Sequence, residues 1–555
     1  SIIALDAFDV ALTQQNILII IAIITLQFLV FAIFIKHKKP TLNNNDIFTF
    51  SKKQTILIVI LIIFTIAVKG IFLINTIFPT ATDLGHHMFW VEKITVDQSL
   101  PSYEKIEIEM NDNTPSFTQP QPIADFIVGE HIIFAVIKTF TGQSVVSTFP
   151  SLVLFIINIF SILMLFILSR RLFERYRHGA QIAILTLLFV GPLWAISGAS
   201  AKFISGGVIG NLLGNLLIPA IIYFLYRAFY EKKATLLIGA IILITGLTYT
   251  HHLSTFIFGY IFIFSIISFV LLQKDGWDGY KKLFLLLKNP YIIPLLLFVI
   301  SAILFLVPPS YLDREAISSS VGAPSKSTRT GVPFEQLMYM LGSARFVFGM
   351  IGLLMLSLFA LLRRFGKLSH MSKKSVPANI YGTVFLLGWG WALILMSLVP
   401  HFLKVNIIST RIATYGAFPL AIFAGLSFVW IISILFYRKK NSLIMPQFLI
   451  SLFLFVIITF TFVSGIRDNA TSMNDAPKTN KALQTFHVGD YASKVFKSEI
   501  SQNNFWLVKD HNYITSDTWL KVFFAHDYSF PLSRSYFKRY ETHPNRETCT
   551  REMIS

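Results

Sequence analysis

The stretch "TILIVILIIFTIAVKGIFLINTIF", residues 55 to 78, decides the fold of this chain. It contains a single charged side chain, Lys69, and it is long enough to cross about 30 Å of hydrocarbon as one α-helix. Similar runs recur along the chain, whose 555 residues are 54% hydrophobic and only 14% charged. A soluble protein could not bury that much apolar surface, so the sequence predicts an all-α polytopic membrane protein.

Apolar runs of membrane-spanning length predict about twelve transmembrane helices. The runs lie near residues 17–35, 55–78, 143–168, 180–198, 211–230, 234–250, 253–273, 290–309, 345–362, 379–400, 413–437 and 443–465.

Basic clusters in alternate loops predict how these helices are oriented. The clusters are "KHKKP" with "SKK", "SRRLFERYRHG", "RAFYEKK", "QKDGWDGYKK", "RRFGKLSHMSKK" and "YRKKN". Because basic loops stay in the cytoplasm, the opposite loops and both termini are predicted to be extracytoplasmic, in a multi-pass protein of the plasma membrane. The net charge of +18 is therefore explained by membrane topology, and no nucleic-acid partner is expected.

This topology divides the chain into two predicted parts. Residues 1–465 form a transmembrane domain with long outer loops at 79–142 and 310–344. Residues 466–555 form a soluble extracytoplasmic tail of mixed polarity, for which a small α/β unit is predicted.

The first outer loop opens with a dense group of titratable side chains. "PTATDLGHHMFWVEKI", residues 79 to 94, contains Asp83, His86, His87 and Glu92 directly after an apolar run. If the segment is helical, Asp83 and His87 share a face. An aspartate at this boundary can accept a proton from a nucleophile if a base keeps it ionised. The alternative is a helix end that is simply exposed to water.

The same loop ends in an amphipathic segment from Ile123 to Phe140. Its apolar residues suit a helix that lies in the membrane interface. Asp125 and Glu130 on this segment are candidates for a second acid or for binding the acceptor. Solvated faces of interfacial helices commonly carry such charges, and that is the alternative.

Other outer segments carry candidates for binding a phosphate. Arg411 and Lys404 lie in the short loop "PHFLKVNIISTR", and His251 and His252 lie in the corner "TYTHHLS". An arginine at a helix start can grip a phosphate with two hydrogen bonds. Snorkelling to lipid headgroups is the alternative. The loop 310–344, which is rich in Ser, Gly and Pro and includes Arg329, is predicted to be a lid.

The arrangement resembles the C-type glycosyltransferase superfold, GT-C. The resemblance rests on "TDLGHHMFWVEKITVDQSLP" in the first outer loop and on "STRIATYGAFPLAIFAG" late in the chain. It implies transfer of a sugar from a polyprenyl-phosphate-linked donor outside the cytoplasm, with Asp83 as the catalytic loop acid. The chain departs from the family because Asp83 has no adjacent acid and no "WWDYG"-like segment is present. Dependence on a divalent cation, Mg²⁺ or Mn²⁺, therefore stays open.

The sequence thus leads to one main prediction and one alternative. The main prediction is an inverting transferase whose partners are a polyprenyl-phosphate-linked sugar, membrane lipids, and a glycan, lipid or protein acceptor. The alternative is a transporter or flippase of a lipid-linked precursor. Transporters usually carry ionisable residues at mid-membrane, whereas here no Asp or Glu lies within an apolar run.

Overall fold

The computed structural model describes most of the apolar part of the chain. It covers residues 2–37, 50–73, 82–101, 108–111, 114–117, 128–194, 203–204, 206, 208–272, 288, 290, 292–306, 331–365, 379–405, 407, 409–437, 451–466, 509–510 and 531–532. Within helices and strands the side chains of some of these residues, among them Asp83 and His86, lie outside the described part.

The described residues are predominantly helical. In chain order the helices are α1 (Ile2–Ala7), α2 (Gln14–His37), α3 (Lys52–Lys69), α4 (Thr82–Asp97), α5 (Gly129–Thr141), α6 (Phe149–Leu172), α7 (Gly179–Val190), α8 (Ile209–Glu231), α9 (Ala234–Thr250), α10 (His252–Leu272), α11 (Ile292–Ser301), α12 (Phe334–Leu341), α13 (Ser343–Arg364), α14 (Ile380–Leu398), α15 (Ser409–Tyr437) and α16 (Ser451–Ile466).

A described helix overlaps each of the twelve predicted apolar runs. Among the described residues, six helices are long and apolar enough to cross a membrane: α6, α8, α10, α13, α14 and residues 409–433 of α15. The helical class is therefore confirmed for the described part of the chain. The number of twelve membrane crossings, and the side of the membrane on which each loop lies, stay predictions.

Helix α15 forms the centre of the bundle. It packs against α7, α13 and α14, and α10 packs along α14. Gly352 of α13 allows a close approach to α15, because a Cβ there would lie 2.1 Å from the carbonyl oxygen of Phe423. In contrast, α2, α3 and α10 leave many large apolar side chains exposed. Exposed apolar faces of this kind are what a lipid bilayer covers.

The predicted interfacial helix differs from the structure in one important respect. The described part of that segment forms α5, and residues 123–127, including Asp125, lie outside the described residues. Glu130 is not on a solvated face, because it is only 3% exposed. The alternative of a solvated face is therefore wrong for Glu130, since α5 packs against α4 and α9 and the carboxylate contacts His87 of α4.

Two short two-stranded sheets lie in segments between or after the helices. Strands β1 (Ile108–Asn111) and β2 (Thr114–Phe117) pair antiparallel within the first outer loop, where no strand was expected. In the tail, β3 (Lys509–Asp510) and β4 (Pro531–Leu532) pair in parallel. The rest of residues 467–555 lies outside the described residues, so the small α/β unit stays a prediction.

The predicted lid is described only at its end. Residues 307–330, including Arg329, lie outside the described residues. Helix α12 follows, and its buried side chains Leu337 and Leu341 lie on the side that packs against α13 and α15. A covering role for this loop stays a prediction.

Candidate functional site

Helix α4 carries one histidine on its buried face. Leu84, Met88 and Val91 have no exposed surface, and their spacing of three and four residues makes them one face of the helix. His87 lies among them and is 4% exposed. Because buried imidazole nitrogens require polar partners, this position demands a polar group from another part of the chain.

Helix α5 supplies that group, and its first residue packs closely against a third helix, α9. Gly129 lies against the end of α9, where a Cβ would be 1.9 Å from the carbonyl oxygen of Tyr249. Further along, Lys138 forms an ion pair with Glu92 of α4 at 2.7 Å. Glu92 therefore joins α4 to α5, and it is not among the residues that line the cavity described below.

Three buried side chains then meet at one point. The Nδ1 atom of His87 lies 2.9 Å from Oε1 of Glu130 and 2.9 Å from Nε2 of His131. A proton on His87 Nδ1 can thus be donated to the Glu130 carboxylate, and His131 Nε2 accepts it only in the tautomer that is unprotonated at Nε2. Within the described part of the structure, the second carboxylate oxygen of Glu130, Oε2, is buried and has no hydrogen-bond partner.

The charge of Glu130 is set by two opposing effects. Burial by itself disfavours the carboxylate and raises its pKa, but the positive potential and hydrogen bond of His87, with contributions from His131 and His252, outweigh it. The net effect lowers the pKa of Glu130 from its ordinary value of 4.5. Glu130 is therefore a fixed anion at neutral pH and a weak proton acceptor.

The opposite wall is built where three helices begin. Helix α9 ends at Thr250, His251 follows, and α10 begins at His252. Arg411 lies in the first turn of α15, and Asn211 of α8 donates a hydrogen bond to its carbonyl oxygen at 3.3 Å. The two histidines and the arginine are thus brought together by the ends of neighbouring helices.

His251 is held as a neutral imidazole. Burial, reinforced by the nearby His252, His87 and Arg411, lowers its pKa well below the ordinary value of 6.5. Its Nδ1 atom contacts the hydroxyl of Ser254 at 2.7 Å. Nε2 is therefore the ring nitrogen that is left for a ligand.

A cavity lies between the two walls. Its volume is about 50 Å³, which is enough for a few waters or for a small polar group of a larger ligand. Its walls include His87, Glu130, Asn211, His251, His252 and Arg411. Imidazole N–H groups and a guanidinium can together donate hydrogen bonds to an anion such as a phosphate.

The structure brings some of the predicted site residues together and leaves others apart. His87, Glu130, His251, His252 and Arg411 line one cavity. Lys404 is exposed in the turn before Val405 and is not among the lining residues.

The backbones of Asp83 and His86 lie in the first turns of α4. Asp83 is four residues before His87 and therefore on the same helical face.

Some residues of the site were not predicted. His131 directly follows Glu130 in "GEHII", and the adjacent titratable pair was the available signal. Asn211, Ser254 and Tyr415 lie within apolar runs, where single polar residues are usually satisfied within the bundle. Only their tertiary contacts connect them to the cavity.

No protein-family model matches the chain, and no curated protein matches it. Among solved structures, the chain is similar to ArnT from Cupriavidus metallidurans bound to undecaprenyl phosphate. The TM-score is 0.43 and the sequence identity 11%, with 88% of this chain and 91% of that chain covered. A likeness this remote assigns no reaction to the chain.

Proposed function

We propose that the chain transfers a sugar from a polyprenyl-phosphate-linked donor to a glycan, lipid or protein acceptor on the extracytoplasmic side of the membrane. The observation that supports this proposal is the convergence of His251, His252 and Arg411 with the His87–Glu130 pair on one cavity. The cavity lies at the helix ends that basic-loop topology predicts to be extracytoplasmic.

The phosphate of the donor is the anion that fits this cavity. Arg411 supplies a permanent positive charge and a fork of donors, and the two histidines supply N–H groups. The polyprenyl chain of the donor would extend from the cavity along the apolar faces of neighbouring helices. In the transfer these groups stabilise the negative charge that develops on the departing phosphate.

The acceptor is activated by a carboxylate, for which we propose Asp83. Glu130 is a poor candidate because its pKa is lowered, and a general base works best with a pKa near the operating pH. Asp83 takes the proton of the acceptor nucleophile, which attacks the anomeric carbon. The bond from that carbon to the phosphate oxygen breaks, polyprenyl phosphate leaves, and the configuration inverts.

A divalent cation is the second occupant that the cluster suits. One ligand atom each from His87, Glu130 and His131 lies within 4.8 Å of the others, and Glu130 Oε2 has no partner among the described residues. Two imidazoles and one carboxylate favour Zn²⁺ over the Mg²⁺ or Mn²⁺ expected from the sequence. A bound cation would add positive charge beside the anionic ligand. Metal analysis of the purified protein, with Glu130→Gln as control, tests this assignment.

The transfer itself is tested with purified protein and undecaprenyl-phosphate-linked radiolabelled sugars. We expect Asp83→Asn to lower transfer at least a hundredfold, as loss of a general base does. Asp97→Asn is the matched control, because Asp97 ends the same helix and is exposed. Full transfer by Asp83→Asn would remove Asp83 from the mechanism. Flux of the lipid-linked precursor across proteoliposomes without any transfer would favour a flippase instead.

A further inference from the structure

A chain of buried hydroxyls connects the cavity histidine to the central helix. His251 Nδ1 contacts Ser254 Oγ at 2.7 Å, and Ser254 Oγ contacts Tyr415 Oη at 2.6 Å. Ser254 is fully buried and Tyr415 is 1% exposed. Neither residue lines the cavity, so Ser254 acts on a ligand through His251, and Tyr415 acts through Ser254 and His251 or through Asn211.

Two glycines of α8 make room for this chain. A Cβ on Gly210 would lie 2.0 Å from Cδ2 and 2.2 Å from Nε2 of His251. One helical turn later, a Cβ on Gly214 would lie 2.2 Å from Ser254 Oγ and 2.9 Å from Tyr415 Cε1. The imidazole, the Ser254 hydroxyl and the Tyr415 ring are thus packed against bare backbone, which restricts the movement of the imidazole.

The backbone determines where the proton of His251 lies. The amide N–H of Ser254 points at Nδ1 from 3.3 Å, and an amide can only donate. Nδ1 must therefore be the acceptor. The Ser254 hydroxyl then also donates to Nδ1, and the Tyr415 hydroxyl donates to Ser254 Oγ. Each hydroxyl has a longer alternative at 3.2 Å, Gly210 O for Ser254 and Asn211 Oδ1 for Tyr415.

We propose that Ser254 and Tyr415 are positioning residues that hold His251 in the tautomer protonated at Nε2, so that this N–H donates to a phosphate oxygen in the cavity. The inference rests on the proposed function, because the proposed function identifies the anion bound by His251 as the phosphate of the donor. The same network also reaches Arg411: Asn211, which contacts Tyr415, donates to the Arg411 carbonyl oxygen. The two phosphate-binding groups are thus positioned together.

Binding of undecaprenyl phosphate in detergent micelles provides the first test, as a double-mutant cycle. We expect Ser254→Ala to raise Kd about fivefold to tenfold, in line with the loss of one well-placed hydrogen bond. In a His251→Ala background the same change should alter Kd less than twofold, because the residue through which it acts is gone. Equal losses in both backgrounds would overturn the positioning role.

Matched controls lie in the same helix. Ser265→Ala removes a buried hydroxyl of α10 that donates only to Ile261 O, and Tyr260→Phe removes a hydroxyl that donates to Leu403 O. Both should leave Kd unchanged. Tyr415→Phe should reproduce the effect of Ser254→Ala, and failure of Tyr415→Phe to do so would exclude Tyr415 from the network.

The second test does not depend on binding or transfer. Nitrogen NMR of ¹⁵N-histidine-labelled protein, assigned with His251→Gln, reports which ring nitrogen of His251 carries the proton. A proton on Nε2, with an Nδ1 signal that shifts in Ser254→Ala and not in Ser265→Ala, supports the proposal. A proton on Nδ1 in the wild type overturns it. If the wild type does not bind undecaprenyl phosphate, the proposed function fails, and the NMR result still decides the positioning role.

Discussion

Replacement of Gly129 by alanine should separate the two walls of the cavity. The added Cβ would lie 1.9 Å from the Tyr249 carbonyl oxygen, and the other nearby atoms, Tyr249 C and Thr250 Cα, are also backbone. No side-chain rotation can relieve the overlap. Helix α5 must therefore move away from the end of α9.

The size of this movement follows from the distances. Ordinary van der Waals contact begins at 3.4 Å, so the two segments must separate by about 1.5 Å, the difference between 3.4 and 1.9 Å. Glu130 of α5 and His251 after α9 line the same cavity, so the groups on its two walls move apart by a comparable distance. Overpacking of this kind costs about 1–3 kcal/mol of stability. Misplacement of a site by about 1 Å costs roughly a hundredfold in rate.

Two measurements check this prediction. We expect Gly129→Ala to lower the Tm of the detergent-solubilised protein and to lower sugar transfer about a hundredfold. The matched control is Gly246→Ala in α9, where a Cβ would meet nothing within 4 Å. That change should be neutral or slightly stabilising, because alanine is the better helix former. If Gly129→Ala retained the activity and Tm of Gly246→Ala, the close approach of α5 to α9 would be refuted.

Three further predictions concern charged groups. Arg411→Ala should raise the Kd for undecaprenyl phosphate at least tenfold, through loss of a charge-assisted hydrogen bond of about 1.5–3 kcal/mol, whereas Lys404→Ala should change it less than twofold. Glu231→Gln should lower the unfolding free energy by about 1.5–3 kcal/mol in a denaturant titration, because it removes the carboxylate that pairs with Arg227 and Lys233 and leaves Arg171 only Glu174; exposed Glu335→Gln should have no such effect. Lowering the pH through 6.5, the ordinary pKa of histidine, should reduce the Tm. Below that pH the unfolded chain binds a proton at His251, whereas the folded chain does not. His251→Gln should weaken this pH dependence.

The helical framework was predictable because it depends on local composition. An apolar run such as residues 55–78 must satisfy its backbone hydrogen bonds within itself wherever it meets lipid, and a helix does so independently of its neighbours. A described helix overlaps each run for that reason. The same reasoning located His251, His252 and Arg411 at helix ends, because polar residues that flank apolar runs lie at helix termini.

The environment of each polar group was decided by tertiary structure alone. The local sequence left open whether Glu130 belongs to the site or to a solvated face, and α4, from a segment more than 40 residues earlier, supplies His87 and buries it. Ser254 and Tyr415 are 161 residues apart, and no local pattern predicts their contact. The protonation state of a carboxylate or an imidazole depends on desolvation and on the charges within a few ångströms. Those neighbours come from distant parts of the chain, so only the packing of the helices determines them.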